Sequence, residues 1–249
     1  MTLTRLELLR MVRTHRWMAL FGIYGFFGVL GPLTARYLNE IIEHFGTGDI
    51  VFEAPDPEPV DGIIQFISNA SQLGLLAVVL IAAAAISVDA RPEVAAFLRT
   101  KVTRPGVLVV PRFAVTAGTA VLALVVGTAI AWGLTANLLG GLPVGAVVLG
   151  TVLGGLYLVF AVAVVAAISG LIRSVPGIAL SALGVLILMP IIGLVPAIEV
   201  WLPSQLFAAI AGLIEGAPAS DYLRSTLVTV VATPLLVWFA MARYDAREL

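Results

Sequence analysis

The sequence predicts an all-α, polytopic membrane protein with six transmembrane helices, and three observations predict it. First, the 249 residues are 60% hydrophobic and 12% charged, where a soluble domain is roughly 45–50% apolar and about 25% charged; mean hydropathy is +1.07. Second, the apolar residues fall into six runs of a length suited to a bilayer core of ~30 Å, which a helix of about 20 residues crosses. Third, the basic residues collect in alternate connections between those runs, the pattern of a chain with both ends in the cytoplasm. The composition excludes a soluble enzyme and a disordered chain. A net charge of −1 gives no global attraction to nucleic acid, and without cysteine there are no disulfides and no thiolate chemistry. The single lysine, Lys101, among 14 basic residues fits a high-GC genome.

The N-terminal segment carries Arg5, Arg10, Arg13 and Arg16 with Glu7. It leads into an apolar run of span length with no small-x-small cleavage site, so it reads as a retained signal anchor. Span one is expected over 17–37. The outer loop, 39–69, holds seven acids: Glu40, Glu43, Asp49, Glu53, Asp56, Glu58 and Asp61. Pro55, Pro57 and Pro59 alternate with them, which favours an extended solvated segment; a cation site or a capture surface for basic substrates is the alternative. Residues 41–45 and 63–67 fit short helices over the outer mouth. Gln65, Ser68, Asn69, Ser71 and Gln72 punctuate the next run, so span two is expected over 70–88.

Residues 113–172 contain no charge, too long a run for one span and about right for two. Asn-Leu-Leu-Gly-Gly-Leu-Pro at 137–143 is a turn composition. It divides the run into span three at 111–136 and span four at 143–172. Span five, 175–196, holds Pro176, Pro190 and Pro196 with Gly177, Gly184 and Gly193, and is the span expected to bend. Residues 200–216 are too short to cross and contain Pro203, so they read as a re-entrant or outer segment. The last span is expected over 224–243.

With this topology the cytoplasmic side carries 12 basic and 5 acidic residues, and the outer side 2 basic and 10 acidic. Arg36 and Arg224 lie at the outer interface, each near an acid (Glu40, Asp221), which snorkelling and pairing explain. The span interiors lack ionisable side chains, which argues against a proton-coupled carrier or channel and against a retinal Schiff base. His15 and His44 lie outside the spans, so no haem pair or intramembrane Ser–His dyad is available. No metal-ligand spacing and no G-x-x-x-x-G-K-[ST] pattern occurs. Gly150-x-x-x-Gly154 and Gly141-x-x-x-Gly145 permit close helix approach, within the chain or at a dimer seam. Phe21, Tyr24, Phe26 and Phe27 of span one, with Pro190 of span five, are candidates for a hydrophobic substrate path; for the aromatics, lipid contact and core packing are the alternatives.

The connection between spans two and three is the most informative stretch. Pro92 suits a first helical position and Glu93 a first turn. Val94, Phe97, Leu98 and Lys101 recur at helical spacing, and Pro105-Gly106 ends the element. This predicts a short helix over 91–103 beneath the membrane, with an apolar ridge and a basic rim. It suits a groove on a cytoplasmic partner or anionic lipid.

Thr100-Lys101-Val102-Thr103-Arg104-Pro105-Gly106-Val107-Leu108 resembles the T-P-V-S-R-x-x-I/L-L stretch of ABC-2-type transporter permeases. The basic N-terminal helix with Glu7, the segment after Trp201-Leu202-Pro203 (Leu206, Phe207, Ile210, Leu213, Ile214) and the tail Tyr244-Asp245-Ala246-Arg247-Glu248-Leu249 are similar to parts of that family. The resemblance implies that Pro92, Glu93, Val94, Phe97, Leu98, Lys101, Thr103 and Arg104 form a coupling helix on a separate ATP-binding subunit. It also implies that Arg5, Glu7, Arg10 and Arg13 belong to a cytoplasmic helix that moves with it. The partners implied are the ATPase subunit, which would hold ATP and Mg²⁺, a second permease copy and the lipid bilayer. The chain itself would hold no cofactor and no metal. The expected function is the membrane subunit of an ATP-driven exporter of lipophilic or amphipathic cargo in a prokaryotic plasma membrane. The rival is a non-transporting membrane scaffold or assembly factor whose basic loop binds lipid or another protein.

Overall fold

The computed structural model describes residues 3–45, 56–87 and 105–246. Among them every regular element is helical, and six helical segments are long and apolar enough to cross a membrane: Arg16–Leu38, Pro59–Ile86, Gly106–Leu138, Val144–Ser169, Val175–Ile192 and Ala219–Ala246. The chain is a multi-pass membrane protein by length and composition.

Helix α1, Leu3–Arg13, precedes the first span. Thr14 closes it: its amide (3.0 Å) and hydroxyl (2.8 Å) both donate to the Arg10 carbonyl. His15 then takes a left-handed φ of 55°, a region where His is enriched, and the chain turns into α2, Arg16–Phe45. Helix α3, Pro59–Asn69, a π-helical turn at Ala70–Gly74 and α4, Leu75–Ile86, follow one another without a break.

The segment 39–69, expected as an outer loop, is therefore helical at both ends. Pro59 stands at the start of α3, where its missing N–H costs nothing. Asp61 reaches back to accept the Glu58 amide at 2.8 Å, so two of the seven acids serve a helix start. The polar residues that punctuate the run do not interrupt it. Asn69 donates to the Gln65 carbonyl (2.8 Å) and Ser71 to the Ser68 carbonyl (2.9 Å), keeping their polarity within the helix.

A 3₁₀ turn at Pro105–Leu108 opens α5, Val109–Leu138. The break before α6, Val144–Ser169, falls on the predicted turn composition, with Gly140 at φ +129°, a conformation that favours glycine. Helix α7, Val175–Ile192, carries Pro176 in its first turn and Pro190 in its last. Pro176 and Pro190 thus stand near the ends of the fifth span, Pro196 opens the next helix, and a π-helical turn lies in the second span. Helix α8, Pro196–Glu199, and α9, Gln205–Ile214, fill the connection to a 3₁₀ turn at Ala219–Tyr222 and to α10, Leu223–Ala246.

Helix α6 is the centre: 72% of its apolar window is buried, against 22% for α7 and α10. It touches α4, α5, α7, α9 and α10. Small residues make this possible. Gly150 and Gly154 face Ile210 of α9, and a Cβ on Gly150 would stand 2.5 Å from the Ile210 Cα. That glycine pair packs within the chain, whereas Gly141 and Gly145 face open space. An equally close crossing joins α2 to α5, where a Cβ on Gly28 would stand 2.5 Å from the Gly127 carbonyl oxygen. Three buried threonines return their hydroxyls to their own helices: Thr119, Thr128 and Thr229 donate to the carbonyls of Val115, Leu124 and Ser225, which keeps their polarity out of an apolar surrounding.

The helix ends sort into two faces. On one, α1, the end of α4, the start of α5 and the end of α10 meet. On the other, Gly62 lies beside Thr135, and Gly140 beside Pro59. The start of α1 and the end of α10 therefore stand on the same face.

Candidate functional site

The termini-bearing face holds a group of contacts around the two ends of segment 88–104. At its upstream end is the C-terminus of α4, whose last carbonyls have no partner within the helix. Arg112, in the first turn of α5, points its guanidinium there, with Nη1 donating to the Ile86 carbonyl at 3.3 Å. The same side chain binds α1, its Nε donating to Glu7 Oε1 at 3.2 Å. Arg10 adds a looser contact, 3.6 Å from the other Glu7 oxygen. Arg112 is only 6% exposed and Glu7 19%. A buried guanidinium is tolerated when both a carboxylate and a carbonyl compensate its desolvation, and a cation beside a helix C-terminus gains from the helix dipole.

The downstream end is held by the C-terminal helix. Asp245 Oδ1 accepts the Gly106 amide at 2.8 Å, and a Cβ at Gly106 would stand 2.6 Å from the Met241 carbonyl. Glycine is needed there for close approach. Both ends of the segment are thus clamped: the upstream junction through Arg112 to α1, the downstream one through Gly106 to α10. The cleft lined by Glu7, Met11, Arg16 and Arg112 encloses about 10 Å³, no more than one water requires. The joint is tightly packed, held by an ion pair and hydrogen bonds between helix ends.

Pro92, Glu93, Val94, Phe97, Leu98, Lys101, Thr103 and Arg104 lie outside the described residues. Of the N-terminal set, Glu7 and Arg10 enter the joint, while Arg5 and Arg13 are exposed. The candidate substrate path does not come together as one lining. Tyr24 is fully buried, its ring against Gly74 in the π-helical turn. Phe27 is buried and lines, with Phe26, Leu73 and Leu80, an apolar lateral groove of about 480 Å³. Phe21 is half-buried against Trp17, and Pro190 is exposed near the far end of α7.

In the sequence Arg112 reads as one more basic residue and Asp245 as part of the tail, and neither shows a contact there. The usable signal was slight: Glu7 is the lone acid among the four arginines of the N-terminal segment. Arg36 and Arg224 depart from the expected pairing. Among the described residues neither forms an ion pair with its nearby acid, and each lies over an aromatic ring, Tyr37 at 5.7 Å and Trp201 at 5.4 Å. No group of three or more metal-capable side chains occurs among the described residues. No protein-family profile and no curated protein sequence matches the chain.

Proposed function

We propose that this chain is the membrane-spanning subunit of an ATP-driven exporter of the ABC-2 permease type, in the plasma membrane of a prokaryote. Its termini-bearing face is the cytoplasmic one, and segment 88–104 docks on a separate ATPase subunit that holds ATP and Mg²⁺. Two permease copies complete the path, and the charge-free span interiors suit a lipophilic or amphipathic cargo.

The observation that carries this reading is the double clamp. A force on segment 88–104 reaches α4 and α5 directly, α1 through Glu7–Arg112, and α10 through Gly106–Asp245. A loop that only rested on lipid would have no use for rigid joints at both junctions. Coupling needs an element whose displacement biases the spans, and this joint supplies the connection. The chain has no Walker A pattern of its own, so the energy must come from the partner.

The test is co-purification with the ATPase encoded nearest the gene. Wild-type chain is expected to retain it and to raise its ATP turnover. Phe97→Asp or Leu98→Asp is expected to abolish both while the chain still inserts. Unchanged complex formation and turnover would reject the docking assignment.

A further inference from the structure

The face opposite the termini carries a pocket of about 480 Å³ between the α8–α9 connection and the start of α10. Its volume lies in the range of small-molecule sites. Charged groups of both signs line it: Glu199, Asp221 and Arg224, joined by Gln205, Ser220 and Tyr222. None of the three charges forms an ion pair among the described residues. Gln205 donates its amide to Glu199 Oε1 at 2.8 Å, which orients that carboxylate. Arg224 is stationed over the Trp201 ring. Ser225 donates to the Val200 carbonyl at 3.0 Å, fixing the start of α10 against the pocket wall. Glu199 and Arg224 are thus oriented by their neighbours, and each keeps hydrogen-bonding capacity for a ligand.

The surroundings locate the pocket at a lipid–water boundary. Ile198, Trp201 and Leu223 beside it are exposed apolar side chains at 41–59%, whereas Ser220 and Asp221 are exposed polar ones. A ligand here meets water at one end and hydrocarbon at the other. A dication is disfavoured by the guanidinium in the same cavity and by the lack of a three-ligand set. A plain anion would face two carboxylates. A ligand with a cation and an anion a few bonds apart satisfies all three charges.

We propose that this pocket binds a phosphoethanolamine-type zwitterion, a phosphodiester linked to a primary ammonium, either as a phospholipid headgroup or as the free headgroup. The phosphate oxygens accept from Arg224 and from the Ser220 hydroxyl, and the ammonium donates to Glu199 and Asp221. Acyl chains would leave along Ile198 and Leu223. The proposal does not depend on an ATPase partner.

The test uses the purified full chain in detergent. Native mass spectrometry counts retained phosphatidylethanolamine against phosphatidylglycerol, which has the phosphate and lacks the ammonium. Wild type is expected to retain the former with at least about tenfold preference, the scale of one charged hydrogen bond. Arg224→Gln is expected to weaken retention about tenfold, Arg224→Lys to restore most of it, and Glu199→Gln with Asp221→Asn to erase the preference. Calorimetric titration with glycerophosphoethanolamine, the acyl-free phosphodiester, separates the sources: binding marks the free headgroup as sufficient, and lipid-only binding that still needs Arg224 marks the phospholipid as ligand. Equal retention of the two lipids, or a preference that survives loss of Arg224 and of both acids in variants that elute as wild type, would overturn the proposal.

Discussion

Arg112 shows how one residue joins fold and mechanism. Its guanidinium is almost wholly withdrawn from water at the end of a membrane helix, held by Glu7 and the Ile86 carbonyl. Removing one partner of such a pair costs more than the pair contributes, because the other charge stays buried alone. Glu7→Ala is therefore expected to destabilise the chain by about 2–4 kcal/mol, somewhat less than a fully buried pair, because Glu7 keeps some contact with solvent. Arg112→Met with Glu7→Ala is expected to cost less than the two single changes together. Thermal unfolding in detergent measures both, and additive losses would show that the contact carries no coupling. This pairing was not legible in the sequence. Glu7 and Arg112 stand 105 positions apart, and periodicity reports only neighbours within an element. Positive-inside counting gave Arg112 its side of the membrane and no partner.

At the scale of elements, long apolar runs were legible because crossing lipid demands them. Their ends were not, where polar side chains bond their own helix. Gln65, Ser68 and Asn69 look like a loop in composition, yet they belong to α3, where the Gln65 and Ser68 carbonyls take up the polarity of the Asn69 and Ser71 side chains. The helix crossings were half legible. Gly150 and Gly154 are legible by their G-x-x-x-G spacing and meet α9, whereas Gly22, Gly25, Gly28 and Gly31 recur every third position, outside that pattern. Of these, Gly28 faces the Gly127 backbone and Gly22 faces open space. Backbone cannot yield as a flexible side chain can, so Gly28→Ala must separate α2 from α5. It is expected to cost about 1–3 kcal/mol, the usual penalty of overpacking. Gly22→Ala is expected to be neutral or slightly stabilising, since alanine is the better helix former by up to ~1 kcal/mol. Denaturation midpoints of the two variants in one detergent compare them, and equal effects would mean that the crossing is looser than the geometry indicates.

The whole molecule is organised by where its few charges lie. The described arginines of the termini-bearing face are Arg5, Arg10, Arg13, Arg16, Arg112, Arg173 and Arg243, whereas the opposite face holds Arg36 and Arg224 and most of the acids. A nearly neutral total hides this polarity, which bears on the mechanism in two ways. It is expected to orient the chain during insertion, and under the proposed function that orientation puts the double clamp on the side where ATP is available. The second consequence fails if the orientation is reversed, so sidedness is the decisive property at this scale. The chain contains no cysteine, which makes single introduced thiols clean reporters. Thr14→Cys and Arg173→Cys on the termini-bearing face, and Asp56→Cys and Glu215→Cys on the other, are at exposed positions. In intact cells a membrane-impermeant maleimide is expected to label only Asp56→Cys and Glu215→Cys; after permeabilisation all four react. Labelling of Thr14→Cys in intact cells would place the clamp outside, away from any cytoplasmic ATPase, and the coupling reading would fall. The zwitterion pocket would then face the cytoplasm and its lipids, with its chemistry unchanged.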